Sequence, residues 1–297
     1  MSGELHAFLT SKCFCPLDNH LLNTMLAVNE TSLSRRLANI ALRVGGRDKK
    51  DLYYNYLLLP FILHDIGKAI ELYQKNLLNH SYYYHEVFGA LITFKIIKEY
   101  LFDKKELDAI DIKKLVPLIV YPVLYHHYAM RDIERLVDVD KSKYEKIVRN
   151  REYLVIKTAV LSELLDKLGI ELNRYNIVKS SKGIDKWILP DILRGLSKVV
   201  SGFDDPLDFS RIDKQFLFLQ KKMNEEYFGY LSGQGLRELI EIHISSLTGL
   251  VNIADYLVSS IERKPCQDSA RRGFVYQILS EDEIRGLADK LVICRRI

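Results

Sequence analysis

Cysteine, long apolar runs and excess charge are all scarce in this sequence, and each shortage narrows what the chain can be. Its four cysteines are Cys13, Cys15, Cys266 and Cys294. No C-x-x-C is present to pair with a second one, which argues against a zinc ribbon. With no secretory leader ahead of them, so few thiols fit reduced cysteines in a cytoplasmic protein, and Cys13 and Cys15 read as structural or inert. No stretch offers the roughly 18 uninterrupted apolar residues of a membrane helix. The nearest, "LVPLIVYPVLY", is short and carries two prolines, so no membrane partner is expected. A G-x-x-x-x-G-K-[ST] loop is also missing, which excludes a nucleotide-driven motor of the usual kind. Lys and Arg number 43 against 39 Asp and Glu, so any nucleic-acid contact must come from a local patch.

What is present is helical periodicity. Hydrophobic residues make up 48% and charged residues 28%, the balance of a folded globular chain. "DNHLLNTMLAVNE" predicts a helix capped by Asp18, and "SLSRRLANIALRVGG" a second ending at Gly45-Gly46. Residues 51–63 predict a buried helix kinked or restarted near Pro60. "YYHEVFGALITFKIIKEYL", "DIKKLVPLIVYPVLYHHYAM" and "YEKIVRNREYLVIKTAVLSELLDKLG" predict three more, and residues 190–201 and 212–227 two looser ones. "LRELIEIHISSLTGLVNIADYLVSSIERK" is apolar on more than one face and predicts a core helix. The last segment differs: "FVYQIL" and "LVICR" read as strands around a short helix with Ser280 and Glu283 at capping-box spacing. The expectation is an all-α body over 1–265 with a small α/β appendage over 266–297.

Certain polar residues interrupt the apolar helices. His64-Asp65 ends one of them. Neighbours on a helix point about 100° apart, so the pair reaches one ion only if the helix stops there and Gly67 turns the backbone. His126-His127 repeats the pattern at the end of "PLIVYPVLYHH". His85 opens a helix, His20 lies in the first one, and Asp255 interrupts the long apolar helix, where a lone buried carboxylate would be costly. A metal partner removes that cost, although His64-Asp65 also reads as a simple helix cap. His6, His80 and His243 read as surface or satisfied core residues. His243 stands 12 positions before Asp255, roughly 120° round the helix from it.

At these residues the sequence resembles the HD superfamily of metal-dependent phosphohydrolases, and within it the stand-alone HD nuclease subunit of CRISPR type I interference. The features appear in order as His20, "HDIGKA" from His64, His85 in "YYHEVFGA", "YHHYAM" around His126-His127, and "IADYLVSS" around Asp255. Tyr128 and Ala129 depart from the glycine that often follows the paired histidines in that family. The resemblance implies an HD-domain helical bundle and two metal ions. His20, His64, Asp65 and Asp255 would hold the first ion and His85, His126 and His127 the second, with Asp65 bridging both. Imidazole-rich sites favour Mn, Fe, Co or Ni, with Mg an alternative. Lys68 would neutralise charge on a reacting phosphate.

The implied activity is cleavage of single-stranded DNA, with a separate helicase subunit and an RNA-guided complex presenting the strand. Lys143, Lys146 and Arg149, in a basic run from Lys141 to Arg151, read either as a solvated face or as a backbone track. Tyr128 could stack on a base. Two other functions compete: an HD enzyme acting on a nucleotide or cyclic nucleotide, and a non-catalytic adaptor that only docks partners.

Overall fold

The computed structural model describes residues 5–9, 13–75, 84–127, 149–174, 185–264, 266 and 278–296. Tyr128, Lys143 and Lys146 lie outside them, as does His80. The described chain is mostly helical, with two small sheets. Strands β1 (His6–Leu9) and β2 (Cys13–Pro16) form an antiparallel hairpin that leads directly into helix α1 (Leu17–Asn29). Asp18 was expected to cap α1 but lies inside its first turn and pairs with Lys167 at 2.5 Å; Pro16, with φ fixed at −59°, holds the cap position. Every α1 residue except Asn19 is buried, which makes it a central helix rather than a surface one.

Helix α2 (Leu33–Gly45) buries Leu33, Leu37, Ile40, Ala41 and Val44 and ends, as its glycines predict, at Gly46 with φ +73°. Helix α3 (Lys50–Leu57) gives way at Leu58 to α4 (Leu59–Leu63), with Pro60 in the first turn of the restarted helix. A 3-10 turn (Ile66–Ala69) and the short α5 (Glu71–Lys75) follow. Then come α6 (His85–Phe102) and α7 (Ala109–Tyr125), the latter started by a reciprocal cap between Asp108 and Asp111.

The helix expected over 144–169 is shorter. Its residues 144–148 lie outside the described ones, and Val155–Ile156 form strand β3, as β-branched residues favour. β3 pairs antiparallel with β4 (Leu207–Asp208), and helix α8 begins only at Thr158, running to Arg174 and packing on α9 (Leu189–Ser201). Helix α10 (Ile212–Lys222) continues through a π turn (Met223–Phe228) into α11 (Gly229–Gly233). Helix α12 (Arg237–Glu262) packs on α1, α4 and α7. By length and composition alone it could cross a membrane, but 67% of its most apolar window is buried in the fold, as in a core helix.

The C-terminal segment is bound into the body more closely than an appendage would be. Helix α13 (Glu281–Ala288) carries the predicted Ser280–Glu283 capping box, and β5 (Arg295–Arg296) adds to the hairpin in the order β1-β2-β5. Most of "FVYQIL" lies outside the described residues. The four cysteines, expected to be reduced, are instead paired, Cys13 with Cys266 and Cys15 with Cys294. The Cα separations are 5.8 and 4.5 Å. Partners 253 and 279 positions apart leave no local spacing to read.

Glu283 also accepts a hydrogen bond from the Ser32 backbone N–H at 2.6 Å, which fastens α13 to the start of α2. Partial burial works against its charge, but the Ser280 and Ser32 donors outweigh that and hold its carboxyl at about 2. A depressed carboxyl contributes stability above its unfolded value, and the contribution fades as pH falls toward the folded one. Glu283→Ala should therefore cost about 1 kcal/mol at pH 7. The gap to the unsubstituted chain should close between about pH 4.5 and 2. Denaturant unfolding across that range checks this, and a constant gap would locate the effect elsewhere.

Candidate metal centre

Five elements bring their polar interruptions to one place. α4 ends at Leu63, His64 follows at its C-terminus, and Asp65 (φ −103°, ψ 8°) breaks the helix into the 3-10 turn. Gly67 is required there: a Cβ at this position would collide with the His85 carbonyl oxygen and lie 2.7 Å from the Gly89 nitrogen. The turn thus sits directly on the backbone of α6, beside His85. Tyr84, left-handed at φ +65°, turns the chain into α6 so that His85 is its first residue. α7 delivers His126 and His127 just past its last turn, α1 delivers His20, and α12 delivers Asp255.

The donors form two groups, each with its atoms within 4.8 Å of one another: His20, His64 and Asp255, and Asp65, His85, His126 and His127. Asp65 faces both. Its Oδ2 lies 3.2 Å from His20 Nε2 and 3.5 Å from His64 Nε2, while its Oδ1 lies 3.0 Å from His85 Nε2 and 3.6 Å from His126 Nε2. Asp255 Oδ1 is 3.3 Å from His20 Nε2 and 3.9 Å from His64 Nε2. His127 Nε2 is 3.0 Å from His85 Nε2. Donors sharing one ion at ordinary bond lengths stand roughly 3–3.5 Å apart, so these separations suit metal ligation.

The outer ring nitrogens fix the inner ones. His20 Nδ1 meets Glu262 Oε2 at 2.8 Å, His85 Nδ1 meets Glu86 Oε2 at 3.3 Å, and His64 and His126 Nδ1 face the carbonyls of Phe61 and Val123 at 3.0 and 2.7 Å. All four Nε2 atoms are thereby left pointing inward, the usual arrangement of metal-bound histidines. Three of the inward atoms, His64 Nε2, His126 Nε2 and Asp65 Oδ1, are buried without a hydrogen-bond partner. Orphaned acceptors converging on one space, next to buried carboxylates, fit a cation.

The electrostatics agree. Burial opposes the charges on Asp65 and Asp255, yet both are held well below the ordinary carboxylate range, Asp65 chiefly by the Lys68 ammonium and Asp255 chiefly by its bond from His20. Burial also opposes a proton on His20, but Glu262, Asp255 and Asp65 outweigh it and raise its pKa. His64 is lowered to about 3, chiefly by burial, so its ring is neutral. The Lys68 ammonium pairs with Asp65 Oδ2.

Glu262, Glu86 and Asn23 escaped the sequence reading. Asn23 donates to Glu262 Oε1 at 2.6 Å and to the Val292 carbonyl at 2.8 Å, which links the C-terminal segment to His20. A third close group, Cys15, Glu262 and Cys294, is accounted for by the cysteine pair and by these bonds of Glu262. Arg149, expected on a nucleic-acid track, is exposed just before the turn at Arg151–Tyr153. His243 is buried away from the centre and is neither a surface residue nor a satisfied one. No protein-family model, curated protein or solved structure matches the chain.

Gly67→Ala should lower stability by about 3 kcal/mol or more, since the collision is with backbone, and should reduce metal uptake by driving Asp65 and His85 apart. Gly89→Ala meets Val123 Cγ1 at 3.3 Å and the His64 carbonyl oxygen and Gly67 nitrogen at 3.4 and 3.5 Å, contacts with no collision, and should cost less. Unfolding curves for the two variants distinguish them. Glu262→Gln keeps the volume and removes the charge behind His20. It should weaken metal binding by about 10- to 100-fold with the helical content unchanged, as read by calorimetry and circular dichroism.

Proposed function

We propose that this chain is an HD-superfamily metal-dependent phosphodiesterase that cuts single-stranded DNA, working in CRISPR interference with a separate helicase subunit and an RNA-guided complex. The observation that carries the reading is Asp65, a buried carboxylate that turns one oxygen to each of two histidine groups. His20, His64, Asp65 and Asp255 would hold one ion, and Asp65, His85, His126 and His127 the other. A donor set of five imidazoles and two carboxylates favours Mn, Fe, Co or Ni. Bound there, a pair of ions supplies hydroxide near neutral pH and a clamp on the phosphate oxygens.

The chain's own residues do the rest. Glu262 and Glu86 hold His20 and His85 in the tautomer that presents Nε2 inward. Lys68 keeps a positive charge at Asp65 Oδ2, from which it can turn to a phosphate oxygen as charge develops. Basic residues of the 141–151 segment attract the backbone with little sequence preference. A flexible single strand can bend to bring one phosphodiester to a site built at helix ends, whereas a duplex would have to fit two strands into the same space. The placement in CRISPR interference rests on the order of the motifs from His20 to Asp255.

The test is to strip the protein of metal and offer single-stranded DNA, linear duplex and a nucleotide panel with each divalent ion in turn. Single strands should be cut with Mn or Ni, chelator should stop the reaction, and duplex should be much slower. Asp65→Ala should abolish cutting while leaving the fold, because it removes a donor from both groups at once. Hydrolysis of a free nucleotide with single strands left intact would replace this reading with a small-molecule phosphohydrolase.

A further inference from the structure

Helices α2 and α12 pack side by side, and between them lies a cavity of about 440 Å³. α2 contributes Arg36, Asn39 and Arg43, spaced i, i+3, i+7 along one face; α12 contributes His243, Ser246 and Gly249. Ile40, Leu250 and Ile253 make its apolar walls. The volume lies in the range of small-molecule sites. This is not the metal centre: His243 precedes Asp255 by 12 residues, about 18 Å along the helix.

Three features point to a ligand. His243 is only 3% exposed, yet neither ring nitrogen has a hydrogen-bond partner. A buried ring with both bonds unmet calls for something in the cavity to meet them. Among the described residues neither Arg36 nor Arg43 forms an ion pair, and both line the groove, so their guanidiniums can turn to an anion held there. Gly249 weakens the middle of a helix without a packing reason, since a Cβ there would meet nothing within 4 Å; its absence only widens the groove.

The chemistry of the lining narrows the ligand. Two uncommitted guanidiniums select an anion, and phosphate in particular matches their planar fork. The apolar walls call for a body that buries surface. Burial and the nearby charge of Arg43 keep the pKa of His243 below its ordinary value, so the ring offers one donor and one acceptor, as a sugar hydroxyl or base edge requires. We propose that this groove binds a small phosphate ester of the nucleoside monophosphate class, its phosphate on Arg36, Arg43 and Asn39, its body on Ile40, Leu250 and Ile253, and His243 bonding it at the floor. The inference does not depend on the hydrolytic reading of the metal centre.

The experiment uses the full chain in excess EDTA, so that the metal centre neither binds nor hydrolyses through an ion. The four common nucleoside 5′-monophosphates, the matching nucleosides and inorganic phosphate are titrated separately by calorimetry. At least one monophosphate should bind saturably, and at least tenfold more tightly than its nucleoside or phosphate alone. An Arg36→Ala/Arg43→Ala double variant, altered only at exposed side chains, should lose at least tenfold in affinity with an unchanged melting temperature. His243→Phe, which fills the floor with an apolar ring, should lose a similar factor. Absence of saturable binding, equal affinity for nucleoside and monophosphate, or an unchanged affinity in the double arginine variant would each overturn the proposal.

Discussion

A carboxylate buried as completely as that of Asp65, 1% exposed, is unfavourable unless positive charge or hydrogen-bond donors surround it. In this fold the ammonium of Lys68 pairs with one of its oxygens, and four imidazoles from α1, α4, α6 and α7 surround both, around the space that a cation would fill. That requirement dictates much of the surrounding backbone. α4 must stop at His64 so that Asp65 can turn inward, and Gly67 must lack a side chain so that the turn can lie on α6. α7 must end where its two histidines reach the same space. The hydrophobic core, continuous through α1, α4, α6, α7 and α12, holds these ends in register but leaves the polar cluster to be satisfied on its own terms.

The helices differ in how they serve the centre. α1 and α12 pass through the core and present a single donor each from within the helix, His20 in the first turn of α1 and Asp255 about two turns before the end of α12, so their ligands are placed by packing and cannot shift without the whole helix. α4, α6 and α7 present theirs from their ends, where the backbone is free to aim a side chain. The long-range bonds of Glu262 and Asn23 join α1 to α12 and to residue 292, so the rigid half of the site is braced by the C-terminal segment.

The parts of this arrangement that show in the sequence are those with local signatures. An HD pair followed by glycine, two adjacent histidines after an apolar helix, and a carboxylate inside one are each anomalous where they stand, and the structure brings all of them together. The restart at Pro60 and the stop at Gly46 were likewise legible, because backbone chemistry decides them. Glu262 was not: at the charged end of "SSIERK" it looks like an ordinary solvated helix terminus, and only a partner 242 positions away makes it otherwise. Glu86, one residue after His85, was masked in the same way. Strands of two residues such as β3 and β4 carry too little pattern to see, and the cysteine pairs join positions 253 and 279 residues apart, with no local signature. His243 illustrates the reverse. Its helical offset from Asp255 correctly separates it from the centre, but its unmet ring nitrogens are a fact of three dimensions.

The separation of His20 from Asp255 and Glu262 has a further consequence during synthesis. His20 enters the growing chain long before its partners, and the one that orients it follows 242 residues later. At ordinary elongation rates that interval is roughly ten to fifty seconds. Through all of it α1 has neither Asp255 nor the brace behind His20, and β2 has no third strand. A nascent chain, or one terminated ahead of α12, therefore cannot assemble the complete centre, and a ribosome-bound fragment carrying the His64-Asp65 turn remains chemically unfinished until α12 has emerged.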